Sequence, residues 1–243
     1  WVLILWLLYA ALAVICTTSV AWMTGRFPNG GPAPLLNGLQ VAAGMLLLSV
    51  SAASALAEER VRGNLDVLLA TPLSTRSVVW GKWWGTFRAV PVLAVPPGLA
   101  MAAVAWRHGH WSGVVLVIGL VLAYGALLTS LGLAIATWVP GLGRAVGLCV
   151  AAHVVVTVGW VMFALPLTQR TPGLTGPGLA SFSPLIGVML PTVQMQTARP
   201  SEFDWNEVVA WVSFWILADA MLAAVLLKSV LVTFNRCLGR MDS

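Results

Sequence analysis

The chain has 243 residues, of which 59% are hydrophobic and 9% charged, and its mean hydropathy is +0.91. Soluble domains carry roughly 25% Asp, Glu, Lys and Arg, so 13 basic and 8 acidic side chains cannot clothe a water-soluble globule of this length. Disordered, collagen-like and disulfide-scaffold classes are excluded as well, because the chain is apolar, has no glycine triplet period and holds three Cys.

What remains is an integral membrane protein. A spanning helix needs about 20 mostly apolar residues to cross roughly 30 Å of hydrocarbon. The apolar runs meet that length and do not alternate, which excludes β-barrel strands. In chain order the predicted spans are 1–23, 40–57, 86–106, 113–139, 145–167 and 208–231. The first is too long for a signal peptide's apolar core and lacks its basic leader, so it reads as a span of a protein that begins further upstream. Pro91, Pro96 and Pro97 fall within the third span and predict a kink or a hinge there. In the long loop 168–207, Phe182 to Val193 is an apolar run broken by Pro184 and Pro191. It is too short to span and suits a re-entrant or interfacial helix that closes an outer mouth or plugs the bundle. The fold expected is an all-α six-transmembrane-helix bundle forming one domain over 1–243.

Basic loops stay cytoplasmic. Arg60, Arg62, Arg76, Lys82, Arg88, Arg144, Lys228, Arg236 and Arg240 share one side, against Arg26, Arg107, Arg170 and Arg199 on the other. Both termini and the region 58–85 are therefore predicted to be cytoplasmic. Trp22, Trp80, Trp83, Trp84, Trp106, Trp111, Trp138 and Trp205 mark the membrane edges. Cys16, Cys149 and Cys237 suggest packed thiols. His108 and His110, with no carboxylate or Cys nearby, read as solvated side chains rather than metal ligands. A net charge of +5 spread over loops is no nucleic-acid footprint.

The region 58–85 carries the most information. Glu58, Glu59, Arg60 and Arg62 mix both charge signs at the membrane edge. After Gly63, Asn64 can cap a short helix with Asp66 in its first turn. Leu65, Leu68 and Leu69 then share one face, and Thr71-Pro72 ends the helix. Ser74 or Thr75 can cap the next. A leucine-faced protrusion of this kind either lies flat in the lipid interface or docks in a soluble partner's cleft.

Glu58-Glu59-Arg60 through Gly63, Leu65-Asp66, Leu68 to Ser74 and Gly81-Lys82 resemble the cytoplasmic loop of type-2 ABC exporter permeases. Within that family they look most like the permeases linked to gliding motility or multicopper-enzyme maturation. The likeness implies a membrane subunit of an ATP-driven exporter in a prokaryotic cytoplasmic membrane. Its short helix would be a coupling helix seated on a cytoplasmic ABC ATPase, and ATP and Mg would be bound by that partner. A second permease copy or a paralogue would complete the complex. Such permeases usually start with a cytoplasmic amphipathic helix, which does not precede the first span here. The chain contains no GxxxxGK[ST] phosphate loop, and Gly81-Lys82 is followed by Trp, so it is expected to be a transport subunit and not an enzyme.

Asp219 and His153 are the carboxylate and the imidazole that lie deep within spans. Each sits about 12 Å from the inner edge of its span, which predicts a buried hydrogen-bonded pair, either static or functional. Two competing readings follow from the residues. One is an ion- or proton-coupled carrier using this pair; the other is a non-transporting scaffold for a soluble partner.

Overall fold

A computed structural model describes residues 2–26, 31–61, 74–170, 175–196 and 204–238, which form helices and no strands. We label them α1 (Val2–Arg26), α2 (Ala33–Val61), α3 (Thr75–Phe87), α4 (Val90–His108) and α5 (Ser112–Trp138). Then follow α6 (Leu142–Val154), α7 (Trp160–Arg170), α8 (Thr175–Ala180), α9 (Pro184–Gln196) and α10 (Trp205–Leu238). Six stretches are long and apolar enough to cross a membrane: α1, α2, the pair α3–α4, α5, α6 with the first turns of α7, and α10. With six crossings, the start of α1 and the end of α10 lie at one end of this bundle, called here the terminal end.

The centre is α5. Its sequence is free of charge and apolar all round, which suits burial on every face. It packs against α2, α4, α6, α9 and α10, and touches α3. Small residues allow the closest approach: a Cβ added at Gly132 would stand 2.8 Å from the backbone carbon of Ala52 on α2. By contrast, Gly81, Gly85, Gly143 and Gly147 have nothing within 4 Å of such an atom, so their four-residue spacing is not used inside the chain.

The third span bends where proline chemistry requires it, though not only at the expected sites. Pro91 occupies the first turn of α4, and the chain turns just before it, at Arg88 and Ala89. There the Ala89 N–H bonds three residues back to Thr86 O at 3.2 Å. Pro96 and Pro97 continue inside α4. Thr17 of α1 brings its hydroxyl to 3.3 Å from both Pro96 O and Gln40 Oε1, offering a donor beside the proline pair. Gly109 ends α4 in the left-handed conformation (φ 83°), its N–H on Ala105 O at 2.7 Å.

Between α6 and α7 the fifth span passes through a π-helical turn, Val155–Gly159, with Trp160 N–H reaching back to Val155 O. The loop helix expected over 182–193 is present as α9, preceded by α8. It is re-entrant rather than interfacial. Gly187, Val188, Leu190, Pro191, Thr192 and Met195 are buried, and α9 lies among α2, α4 and α5. Its inner end reaches Leu120, eight residues into α5 and so about 12 Å below the start of that helix.

Candidate functional site

At the terminal end the chain leaves α2, makes a connection and returns as α3. The expected coupling helix lies in that connection. Arg62, Gly63, Asn64, Leu65, Asp66, Leu68, Leu69, Thr71 and Pro72 are outside the described residues, as are the side chains of Glu59 and Arg60; Glu58 is an exposed residue of α2. The two stems are described. Ser74 caps α3 as the sequence suggested: its backbone is extended (φ −68°, ψ 143°) and its hydroxyl accepts the Ser77 N–H at 3.2 Å. Leu56 of α2 and Val79 of α3 enter a small second core with Leu133, Ala145, Val230 and Phe234. Helices α2, α3, α5, α6 and α10 therefore meet at the base of the connection. Trp83 stacks on Phe87 at 4.6 Å and donates its indole N–H to Ser130 at 3.0 Å, tying α3 to α5. An open groove of about 520 Å³ runs along α3 past Ala55, Ser77, Gly81, Lys82, Gly85 and Thr86.

The membrane-embedded pair is arranged differently from expectation. His153 and Asp219 are both buried, at 3% and 1% exposure, but they do not hydrogen-bond to each other. Spans five and six follow one another in sequence, yet each packs on α5, and Tyr124 of that helix stands in the polar cluster. The Ala42 carbonyl, which can only accept, takes a hydrogen bond from His153 Nε2 at 3.1 Å. Neutral His153 then carries its proton on Nε2, so Nδ1 accepts from the Tyr124 hydroxyl at 3.2 Å. Thr157, inside the π-helical turn, places its hydroxyl 3.4 Å from the imidazole. Its backbone carbonyl accepts from Ser183 at 2.8 Å, which fastens the start of α9 to the fifth span. Both oxygens of Asp219 lack a hydrogen-bond partner.

A second buried polar track gave no warning in the sequence. Gln40 Nε2 donates to Asn37 Oδ1 at 2.6 Å, and Asn37 Nδ2 donates to Thr192 Oγ1 at 3.2 Å. Thr192 in turn donates to Val188 O at 2.7 Å. Gln196 Nε2 donates to Thr24 at 3.4 Å. These uncharged groups join α1 and α2 to α9. Their signal is weak because an amide or hydroxyl at a span edge resembles an ordinary loop residue. Replacing Asn37 by Leu leaves buried Gln40 and Thr192 short of a partner and is expected to cost about 1–2 kcal/mol. Thermal unfolding in detergent measures that loss.

Elsewhere the expected histidines fall on the rim opposite the terminal end, where His110 stacks on Trp205 at 5.2 Å. Cys16 and Cys149 are buried free thiols. Trp22, Trp84, Trp106 and Trp111 are exposed near helix ends, and Arg26 lies 4.8 Å above the Trp22 ring. This distribution is what lipid-headgroup anchoring requires.

These features define a multi-pass helical membrane protein with a buried helical hairpin at one end and, at the other, the stems of α2 and α3 held in a common core. Residues 38–237 match the family described as ABC-2 family transporter protein, and the chain belongs to that family. It is accordingly the permease component of an ABC transporter, a membrane transport component rather than an enzyme. Permeases of this family typically work with a cytoplasmic ABC ATPase. No curated protein matches the chain.

Proposed function

We propose that this permease is the membrane subunit of an exporter, moved by a separate cytoplasmic ATPase seated on the connection between α2 and α3. The observation that carries the reading is the core at the base of that connection, where five helices converge on Leu56 and Val79. A displacement imposed on the connection is thereby felt by the central helix and by both of the last two spans. The leucine spacing at Leu65, Leu68 and Leu69 supplies a face for the partner, and an open groove runs along the α3 stem. ATP and Mg belong to the partner in this scheme. The permease's own task is to present two conformations that the partner binds with different affinity.

The excess of Lys and Arg at the terminal end, nine against four, supports an orientation with both termini in the cytoplasm of a prokaryotic cell membrane. The likeness of residues 58–82 to gliding-motility and multicopper-maturation permeases supports placement in that subgroup. Gly143, Gly147 and Ala151 line an outward face of α6 with open space over both glycines, which suits close packing of a second copy or a paralogue.

Co-expression of the chain with candidate ABC ATPases from the same genome tests the assembly. A stable complex with ATPase activity raised by the permease is expected. Purification of a permease that recruits no ATPase, or that moves substrate alone under an ion gradient, overturns the reading. Cysteine at Gly147 is expected to cross-link two permeases in membranes.

A further inference from the structure

Among the described residues, Asp219 is a buried ionisable side chain that the packing leaves without a hydrogen-bond partner. It is 1% exposed, and neither oxygen has a hydrogen-bond donor within reach. An ionised carboxylate in hydrocarbon without donors is very costly, and such a group normally marks a functional site. Its position follows from the register of α10 on α5. Trp205 Nε1 donates to Ser112 at 3.1 Å, a Cβ at Gly119 would stand 3.1 Å from Ile216 Cδ1, and Trp138 Nε1 donates to Thr233 at 2.9 Å. These pairs set the two helices parallel and bring Asp219 level with Tyr124.

The hydrogen bonding around Tyr124 has a direction. Ala42 O accepts from His153 Nε2, and His153 Nδ1 accepts the Tyr124 proton. The phenol therefore turns oxygen lone pairs, not a hydrogen, toward the remaining space. Its proton is thus spent on the imidazole and is not available to stabilise a carboxylate at Asp219. A metal cation fits poorly, because hard cations require about six or more oxygen ligands and the groups here are one carboxyl and one phenol.

We propose that Asp219 is a proton-binding site, held as the neutral acid in this conformation, at the level of the Tyr124–His153 hydrogen bond. The π-helical turn that holds Thr157 against His153 lies where such turns are often found, beside a functional group. Few other titratable groups surround the site. Helix α5 offers Tyr124, α8 and α9 offer none, and α3 carries Arg76 and Lys82 near the terminal end. On α10 itself the nearest is Lys228, more than two turns away. His153 and Cys149 lie on α6.

The test uses the full chain in lipid bilayers with carbon-13-labelled aspartate. The sequence has four aspartates, at 66, 204, 219 and 242, so the infrared spectrum is simple. A carbonyl band of a protonated carboxyl group is expected at neutral pH and is expected to vanish in D219N. Y124F and H153Q are each expected to move the pH midpoint at which the band disappears by about one unit or more. Absence of the band from the wild-type chain, its survival in D219N, or a midpoint indifferent to both Y124F and H153Q overturns the proposal. Should D219N fail to fold, the wild-type spectrum and the two neighbouring variants still decide it. The outcome is independent of where the ATPase sits, because no arm of the test requires a partner protein.

Discussion

The double substitution of Leu68 and Leu69 by Asp is expected to abolish ATPase association while leaving the membrane bundle folded. Burying a leucine side chain in a partner's cleft is worth about 1.5–3 kcal/mol, and forcing a carboxylate into the same cleft adds a desolvation cost. Two such changes amount to at least about 4 kcal/mol, or roughly a thousandfold in affinity. On this reading both leucines face the partner and not the bundle, so thermal stability of the isolated permease should change little. Pull-down of the ATPase, set against size-exclusion behaviour of the permease, measures both quantities. Retained binding would move the partner's seat elsewhere on the terminal end; lost folding would assign the leucines to the permease's own core. If Leu68 and Leu69 instead lie in the lipid interface, the charged pair would alter membrane association but not the ATPase complex.

Gly38→Val is expected to be the most damaging single substitution in the described fold. A Cβ at Gly38 would stand 2.7 Å from Leu185 O and 2.9 Å from Met189 Cγ, both on α9. The first obstacle is backbone and cannot rotate aside. Overpacking typically costs 1–3 kcal/mol, and displacing α9 would also break the buried Asn37–Thr192 hydrogen bond. Together about 3 kcal/mol or more is expected. Two readouts should move in step: a lower unfolding temperature in detergent, and easier labelling of a cysteine placed at Thr192. Gly143→Val, where the added atoms enter open space, is the matched control. Its stability in dilute detergent should be nearly unchanged.

The spans themselves were legible in the sequence because the signal is large: some 20 apolar residues in a row leave few alternatives. The existence of the re-entrant segment was readable from an apolar run interrupted by Pro184 and Pro191. Its insertion among α2, α4 and α5 was not, since that depends on Gly38 and on uncharged polar groups whose partners lie more than a hundred residues away. Asp219 and His153 are both buried, as expected of groups deep within spans, but they do not form the expected hydrogen-bonded pair. What failed was the assumption that consecutive helices are neighbours. Helix α5, the least polar of all, occupies the gap, and its Tyr124 looked like an ordinary core aromatic until its hydroxyl was seen on the imidazole. The third span's bend was anticipated at the prolines, but the turn falls just ahead of Pro91, where the ring removes the donor that the preceding carbonyl would have used.

The wide turn at Val155–Gly159 means that the fifth span contains one residue more than an unbroken α-helical ladder would accommodate. Removing a single residue there would let the ladder close, but everything beyond it would rotate by about 100°. Trp160, whose indole N–H now reaches Leu179 O at 2.9 Å, would swing away from the hairpin it braces. The surplus residue thus acts as a phase setter, keeping the two halves of one helix aimed at different neighbours.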